Sequence, residues 1–466
     1  MTQLRGILGV KFSRRRWRTL VARSAGVLAV VALATPAIAQ PAPETKQPKK
    51  GPRRGLVWDG NRPSIVFGED INMDVRFKIQ MDWRDFDPQI GVGDLEFPGP
   101  FDIETKRLGI KGELTRHFEY EVEHELARTE PFLGGVGLSS KVLWKDVFFK
   151  WRSLDEIQVT VGRVKVPFGL EQNTGKSSTD FAYRTLASST IAPGRDRGVL
   201  ASGRFFGRGI TYELGVFEHD GDNGRLREPQ FILEGTEVPQ PGPSIAGRLT
   251  FAVLRAFNAP DWLDGLRVGV AYTTADLPDG LNSLRGQSVF GTANYFDRVY
   301  VKGRRQRIGS EFSWTPGPVG LKAEWMQARE DRENQGNRDQ DLSDFLSTGW
   351  YASGTVLLTG ENKADEIEPD RPLFQGGIGA IELGVRYDEL GFGSARHEGQ
   401  AFQNPRSDNL IGAKDKTWTF GVNWFTSKWV RIVVNAIHEE LVDAVETPVN
   451  GISSYWAGLA RLQIVF

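Results

Sequence analysis

From Ile71 onward apolar and polar residues alternate without a break. Ile71, Met73, Val75, Phe77, Ile79, Met81 and Trp83 take every second position, and Asn72, Asp74, Arg76, Lys78, Gln80, Asp82 and Arg84 fill the rest. Side chains on a strand point alternately to opposite faces, so this run predicts a strand rather than a helix. One face is oily and the other carries charges through its middle, which fits a wall between lipid and water better than a sandwich core. The same test predicts strands near 102–113, 115–127, 143–152, 157–164, 197–206, 209–218, 244–255, 265–275, 304–315, 319–329, 347–358, 377–389, 415–426, 428–440 and 453–466. With the first there are sixteen. An even number suits a closed antiparallel barrel with both ends on the periplasmic side.

The connections follow an independent pattern. Those after odd-numbered strands are long and polar (85–101, 128–142, 165–196, 219–243, 276–303, 330–346, 390–414 and 441–452), whereas most of the others are short, as at Leu114, Pro316-Gly317-Pro318 and Ser427. Long loops on one side and tight turns on the other are expected of an outer-membrane barrel. The connection 359–376 breaks the rule: it is long where a turn belongs, so either that turn is unusual or the strand count is off there. The chain closes on an oily alternation, Trp456, Gly458, Ala460, Leu462, Ile464 and Phe466, and this aromatic ending resembles the C-terminal signature of outer-membrane barrels. Ile464 departs from it, since an aromatic is common there. No fixed-period repeat is visible, which sets aside propellers and solenoids.

Residues 1–39 add an address. Seven bases (Arg5, Lys11, Arg14, Arg15, Arg16, Arg18, Arg23) and no acid precede an apolar run from Ala25 to Ala34 and the small-x-small site Ala37-Ile38-Ala39. This reads as a cleavable secretory signal with a mature start at Gln40. The triple arginine also allows a twin-arginine signal, but a barrel has to stay unfolded until insertion and does not suit folded export. The apolar run is too short to span a bilayer, and no later segment is longer. The organisation expected is a signal peptide at 1–39, a Pro- and Lys-rich periplasmic segment at 40–64 and an outer-membrane barrel at 65–466.

Without those seven bases the chain has 51 Lys and Arg against 59 Asp and Glu, a formal charge of −8, which gives no reason to expect nucleic acid. No cysteine is present, so thiol chemistry and disulfides are excluded. The 53 Gly, 13 Trp and 28 Phe suit turns, strands and interfacial girdles.

The longest connection, Lys165 to Asp196, is the third long loop, which in sixteen-stranded porins folds into the lumen and sets selectivity. Its text includes Gly162-Arg163-x-Lys165-x-Pro167-Phe168-Gly169-Leu170-Glu171, then Arg184-x-Leu186, then Ala192-Pro193-Gly194-Arg195-x-Arg197-Gly198. On this block the chain resembles the phosphate-selective porins O and P. The block covers about a tenth of the mature chain. The resemblance implies a channel for phosphate or short polyphosphates and, with general porin behaviour, a homotrimer. Pro193-Gly194 is a type II turn pair that would present Arg195 and Arg197 from a rigid corner. Arginine forks match phosphate oxygens, and lysines act as point charges. The candidate anion-path residues of the loop are Arg163, Lys165, Lys176, Arg184, Arg195 and Arg197. The plainer reading is that these bases pair with Glu171, Asp180 and Asp196 and merely hold the loop down.

Parity sorts the wall. Leu249 and Phe251 outward turn Arg248 inward; Leu321, Ala323 and Trp325 do so for Lys322, Leu383 and Val385 for Arg386, Val430 and Ile432 for Arg431. With Arg76, Lys78, Arg107, Lys111 and Arg267 these form a candidate basic lining. Glu119, Glu121, Glu123 and Glu125 also alternate inward, so the wall has both signs. The histidines (His117, His124, His219, His397, His438) lack metal-ligand spacing, and Asp331, Glu333, Gln335 and Asp339 lack the ligand order of a calcium loop. No cofactor is expected. The reading is a sixteen-stranded outer-membrane porin passing small anions, in contact with lipid and lipopolysaccharide. Its rivals are a general or sugar-type porin and a barrel enzyme. Most Trp fall on the lipid parity, which disfavours a sugar slide. An enzyme would rest on His438 beside Glu439.

Overall fold

The computed structural model describes residues 54–59, 62–68, 70–86, 100–126, 144–224, 226, 240–252, 265–291, 294–363, 366–396, 404–442 and 453–466. The expected signal peptide, the Pro- and Lys-rich stretch up to residue 53, the whole of the expected loop 128–142 and His397 lie outside them.

In chain order the strands are β1 (Arg54–Asp59), β2 (Arg62–Phe67), β3 (Ile71–Phe86), β4 (Phe101–Leu114), β5 (Phe118–Glu125), β6 (Trp144–Trp151), β7 (Gln158–Lys165), β8 (Arg195–Phe205), β9 (Ile210–Phe217), β10 (Ser244–Phe251), β11 (Arg267–Leu281), β12 (Gly286–Gln287), β13 (Asn294–Phe296), β14 (Tyr300–Trp314), β15 (Val319–Arg332), β16 (Leu342–Leu357), β17 (Ala380–Ser394), β18 (Ala413–Phe425), β19 (Val430–Val442) and β20 (Ser454–Val465). Sixteen of them, β3–β11 and β14–β20, pair in sequence order, each antiparallel to the next. The last closes on the first with Ala457 opposite Phe86 and Val465 opposite Lys78. Each expected strand is present, shifted by a few residues at its ends. The long connection between β16 and β17 is genuine, so the count of sixteen stands and the turn is the exception. β12 and β13 form a separate two-stranded ribbon between β11 and β14.

Closure is completed by Phe466. Its carbonyl accepts from the Phe77 amide at 2.8 Å, its amide donates to the Phe77 carbonyl at 3.0 Å, and the two rings lie 5.2 Å apart. Below that point β3 would present a bare edge. There β2 pairs with Ile71–Asp74, and β1 pairs with β2. This hairpin straddles the boundary expected at residue 64, because its alternation is too brief to stand out from the Pro-rich text before it.

Exposure inverts the usual order. The outward rows are apolar and open, as at Leu108, Val161, Val199, Val270, Phe420 and Val434. Inward residues such as Asp82, Arg305, Glu330, Glu382 and Asp415 are fully buried. The expected water-facing side is packed because ion pairs and inner loops fill much of the bore. A smaller apolar core sits there too, built on the stacked rings of Phe296, Phe345 and Phe392.

Candidate functional site

Residues 166–194 connect β7 to β8 and lie against inward-pointing side chains of β15 and β17–β20. Their first turn is a four-residue helix, Leu170–Asn173, entered through Gly169 at φ 77°, a value that favours glycine. The wall supplies its cap. Glu324 of β15 accepts from the Leu170 amide at 2.5 Å and the Glu171 amide at 2.9 Å. At the other end Lys165 Nζ donates to the carbonyls of Asn173 (3.0 Å) and Thr174 (2.9 Å), and Arg184 donates to Thr174 (2.7 Å) and Glu171 (3.1 Å). Two cations thus sit on the carbonyl end of the turn, where the backbone dipole favours them. A second short helix, Leu186–Thr190, starts at Thr185, whose hydroxyl accepts from the Ser188 amide and donates to Glu171. Gly194 has φ 90°, in keeping with the expected turn at Pro193-Gly194.

The segment between these helices is clamped to the far wall. Asp180 accepts from Lys322 and Lys363, each at 2.8 Å, and its backbone carbonyl accepts from Asn423 and Arg431. Burial opposes its charge, yet the two ammoniums together hold its carboxyl well below the usual carboxylate range. Arg386 donates to the Tyr183 carbonyl at 3.0 Å and lies between the rings of Phe181 and Tyr183, 4.7 and 4.5 Å from their centres. Arg461 grips Asp82 through two bonds of 2.6 and 2.8 Å and donates to the Ala182 carbonyl. Glycines make the close approach possible. A Cβ on Gly349 would come within 2.5 Å of the Ala187 Cβ, and one on Gly421 within 3.0 Å of the Phe181 ring. Gly349→Val is therefore expected to leave the barrel assembled but lift the second helix off the wall. Heat-modifiable mobility should stay normal on gels while protease begins to cut between residues 166 and 194; an uncut loop would show that the wall yields instead.

Every candidate base of the loop has a protein acceptor. Arg163 pairs with Asp222 at 2.6 Å, Lys176 with Glu104 at 2.7 Å, Arg195 with Asp146 through two bonds of 3.0 and 2.8 Å, and Arg197 with Glu218 at 2.7 Å. Lys165 and Arg184 differ, since their hydrogen bonds go to neutral carbonyls. The acids expected as partners are placed otherwise. Glu171 meets Arg386, Asp180 meets the two lysines, and Asp196 accepts from the amides of Arg197, His219 and Gly221. Burial inside the bore drives Lys176 down to about 8 against the pull of Glu104.

On the wall, the glutamate row of β5 takes up four bases. Arg76 contacts Glu121, Lys111 is 2.8 Å from Glu119, Arg107 is 2.5 Å from Glu125 and 3.1 Å from Glu123, and Lys78 stays 3.9 Å from Glu123. Arg248 bridges Glu213 and Glu311. Arg267 lies exposed at the start of β11. Lys322, Arg386 and Arg431 are the clamps described above. The structure therefore gathers Lys78, Arg107, Lys165, Arg184 and Arg195 into one basic cluster beside Asp146 and Glu123, with Arg76 at its edge, and places Arg248, Lys322, Arg386 and Arg431 outside it.

Sequence reasoning missed Lys363, Asn423, Asn435 and Arg461. Strand parity turns the last three inward, alternating with Val422, Val434 and Leu462, but nothing local marks them as loop contacts. His438 and Glu439 separate, as neighbours on a strand must. The His438 ring lies 4.9 Å from that of Trp456 on the outer face, and Glu439 is buried inside. They form no dyad.

A family model described as phosphate-selective porin O and P matches residues 72–466. An uncharacterized protein of Caulobacter vibrioides is 24% identical over 411 residues, spanning 85% of this chain and 74% of that one. Among solved structures, the loop L8 deletion mutant of OmpT, an outer membrane protein of Vibrio cholerae, superposes with a TM-score of 0.52 at 10% identity, covering 85% of this chain and all of that one. A trimer form of in-vitro folded OmpT from the same organism gives 0.50 at 11% identity over the same shares. At such identities the structural matches speak for the fold alone. With the family match spanning the whole barrel and the loop block inside it, the chain belongs to the phosphate-selective porin O and P family.

Proposed function

We propose that this passive diffusion porin of the outer membrane selects small anions, with inorganic phosphate and short polyphosphates as its preferred solutes. The observation that carries the reading is the pair Lys165 and Arg184. These two basic side chains converge on one helical turn, are hydrogen-bonded among the described residues only to neutral carbonyls, and both lie within electrostatic range of Arg195, Lys165 also of Lys78. Charges so placed attract an anion without binding it as a closed site would, which a conducting path requires. The family's description supports phosphate in particular. The chain acts as a channel and not as an enzyme, a reading the separation of His438 from Glu439 favours over its rival. Trp325 and Trp418 are exposed on the outer face, which favours an ion path over a sugar slide. The working assembly is a homotrimer, with lipid and lipopolysaccharide around the rest of the outer face, exported by the signal at 1–39.

Single-channel recording in chloride and phosphate tests this. The expected result is anion selectivity, with phosphate added at micromolar to millimolar levels lowering chloride current. Cation selectivity, or no phosphate effect, would overturn it. Because Lys176 loses its charge as pH rises through about 8, the reversal potential should also move toward cations in alkaline solution, and less so in Lys176→Gln.

A further inference from the structure

Two carboxyls on the inner wall have no role in the clamp or the basic cluster. Asp415 of β18 and Glu439 of β19 point inward and are 0% and 1% exposed. The register sets Asp415 opposite Leu441 and Glu439 opposite Thr417, so the two carboxyls are diagonal neighbours on one inward face, with their side chains in contact. Asp415 Oδ1 accepts from the Thr417 hydroxyl at 3.2 Å, whereas no protein N–H or O–H among the described residues reaches Oδ2. Two carboxylates do not hydrogen-bond; a contact between them needs one proton. The titratable groups facing them bring no positive charge. Asp388 of β17 is a third carboxyl, already beside Arg386 at 3.4 Å, and Tyr295, from the ribbon strand β13, is neutral and buried. Tyr455 of β20 donates to Glu439 at 2.5 Å.

What rests on this pair is the inner end of another connection. The Val289 amide donates to Glu439 Oε1 at 2.9 Å, and the next residue, Phe290, packs on Ala182, Val433 and Leu459, beside the clamped loop. Residues 282–291 are thereby held in the bore by an acceptor that itself depends on a shared proton.

We propose that the Asp415–Glu439 pair is a proton-operated latch: while one proton is shared, residues 282–291 stay seated against the inner loop, and its loss places two like charges in a buried site, unseats Val289 and Phe290, and widens the path. Two unscreened carboxylates in contact inside a protein repel strongly, and a loop held by a few hydrogen bonds is what yields. The latch concerns bore width and is independent of anion preference, so the two are read by different quantities.

The test is conductance against pH, from mildly acidic to alkaline, in about 1 M potassium chloride, where a screening length of about 3 Å suppresses the effect of lumen charges on current. The wild type is expected to step up in conductance as pH rises. Asp415→Asn, whose amide donates to Glu439 without titrating, should stay at the low level throughout. Asp415→Ala, which leaves no second carboxylate to repel Glu439, should likewise lack the step. A flat wild-type profile, or the same step in Asp415→Asn, overturns the latch. If both variants misfold, spin labels on Val289→Cys in the otherwise wild-type chain replace them. Label mobility rising with pH supports the latch, and constant mobility overturns it.

Discussion

Asp180→Asn is expected to free the inner loop, cut about 3 kcal/mol from its seating and raise open-channel current with frequent fluctuations. The estimate follows from removing one member of a buried ion pair, which leaves the other charge uncompensated. Here two ammoniums are left, and Lys363 keeps only Glu382. Asparagine preserves the volume, and the backbone carbonyl still accepts from Asn423 and Arg431, so the loop should loosen at its tip rather than leave the bore. Limited proteolysis between Ser177 and Tyr183 and single-channel noise give the readout. Unchanged cleavage together with a quiet, wild-type current would mean that the backbone bonds alone hold the segment.

The second large effect concerns charge. Lys165→Glu is expected to move the reversal potential toward cations and abolish the phosphate effect on chloride current. An ion passing about 6 Å away at an effective dielectric near 20 would feel roughly 3 kcal/mol before screening from the negative charge gained. Salt reduces this, so low ionic strength should show it best. Lys165→Gln separates charge from anchoring, since its amide still donates to the carbonyls of Asn173 and Thr174. The expected order of anion selectivity is wild type, then Gln, then Glu. Equal selectivity in all three would make Lys165 a structural pin and shift the path elsewhere.

The barrel was legible because its outer face obeys one rule throughout. Lipid accepts only apolar side chains, strands have a period of two, and the alternation at Ile71 to Trp83 repeats around the wall. The loop was legible as text, through the block from Gly162 to Gly198, but the use of its bases was not. Whether Arg195 meets a solute or Asp146 depends on a strand forty-nine residues earlier, and sequence spacing carries no information about that. The same holds for Lys363. It sits in the one turn that broke the length rule, and the anomaly at 359–376 was itself the signal: the extra residues reach back to Asp180 and Glu382. The β1–β2 hairpin was not legible because two six-residue strands give too few alternations to outweigh a Pro-rich flank.

That hairpin has a consequence for how the wall ends. The final strand stops at the height of Phe77, yet β3 continues downward to Ile71 with amides and carbonyls that would face nothing. An unpaired edge is a template for joining another chain. The stretch ahead of the barrel thus works as a selvedge, the woven border that keeps a fabric from unravelling, and it lets the closing strand be shorter than the strand it closes upon.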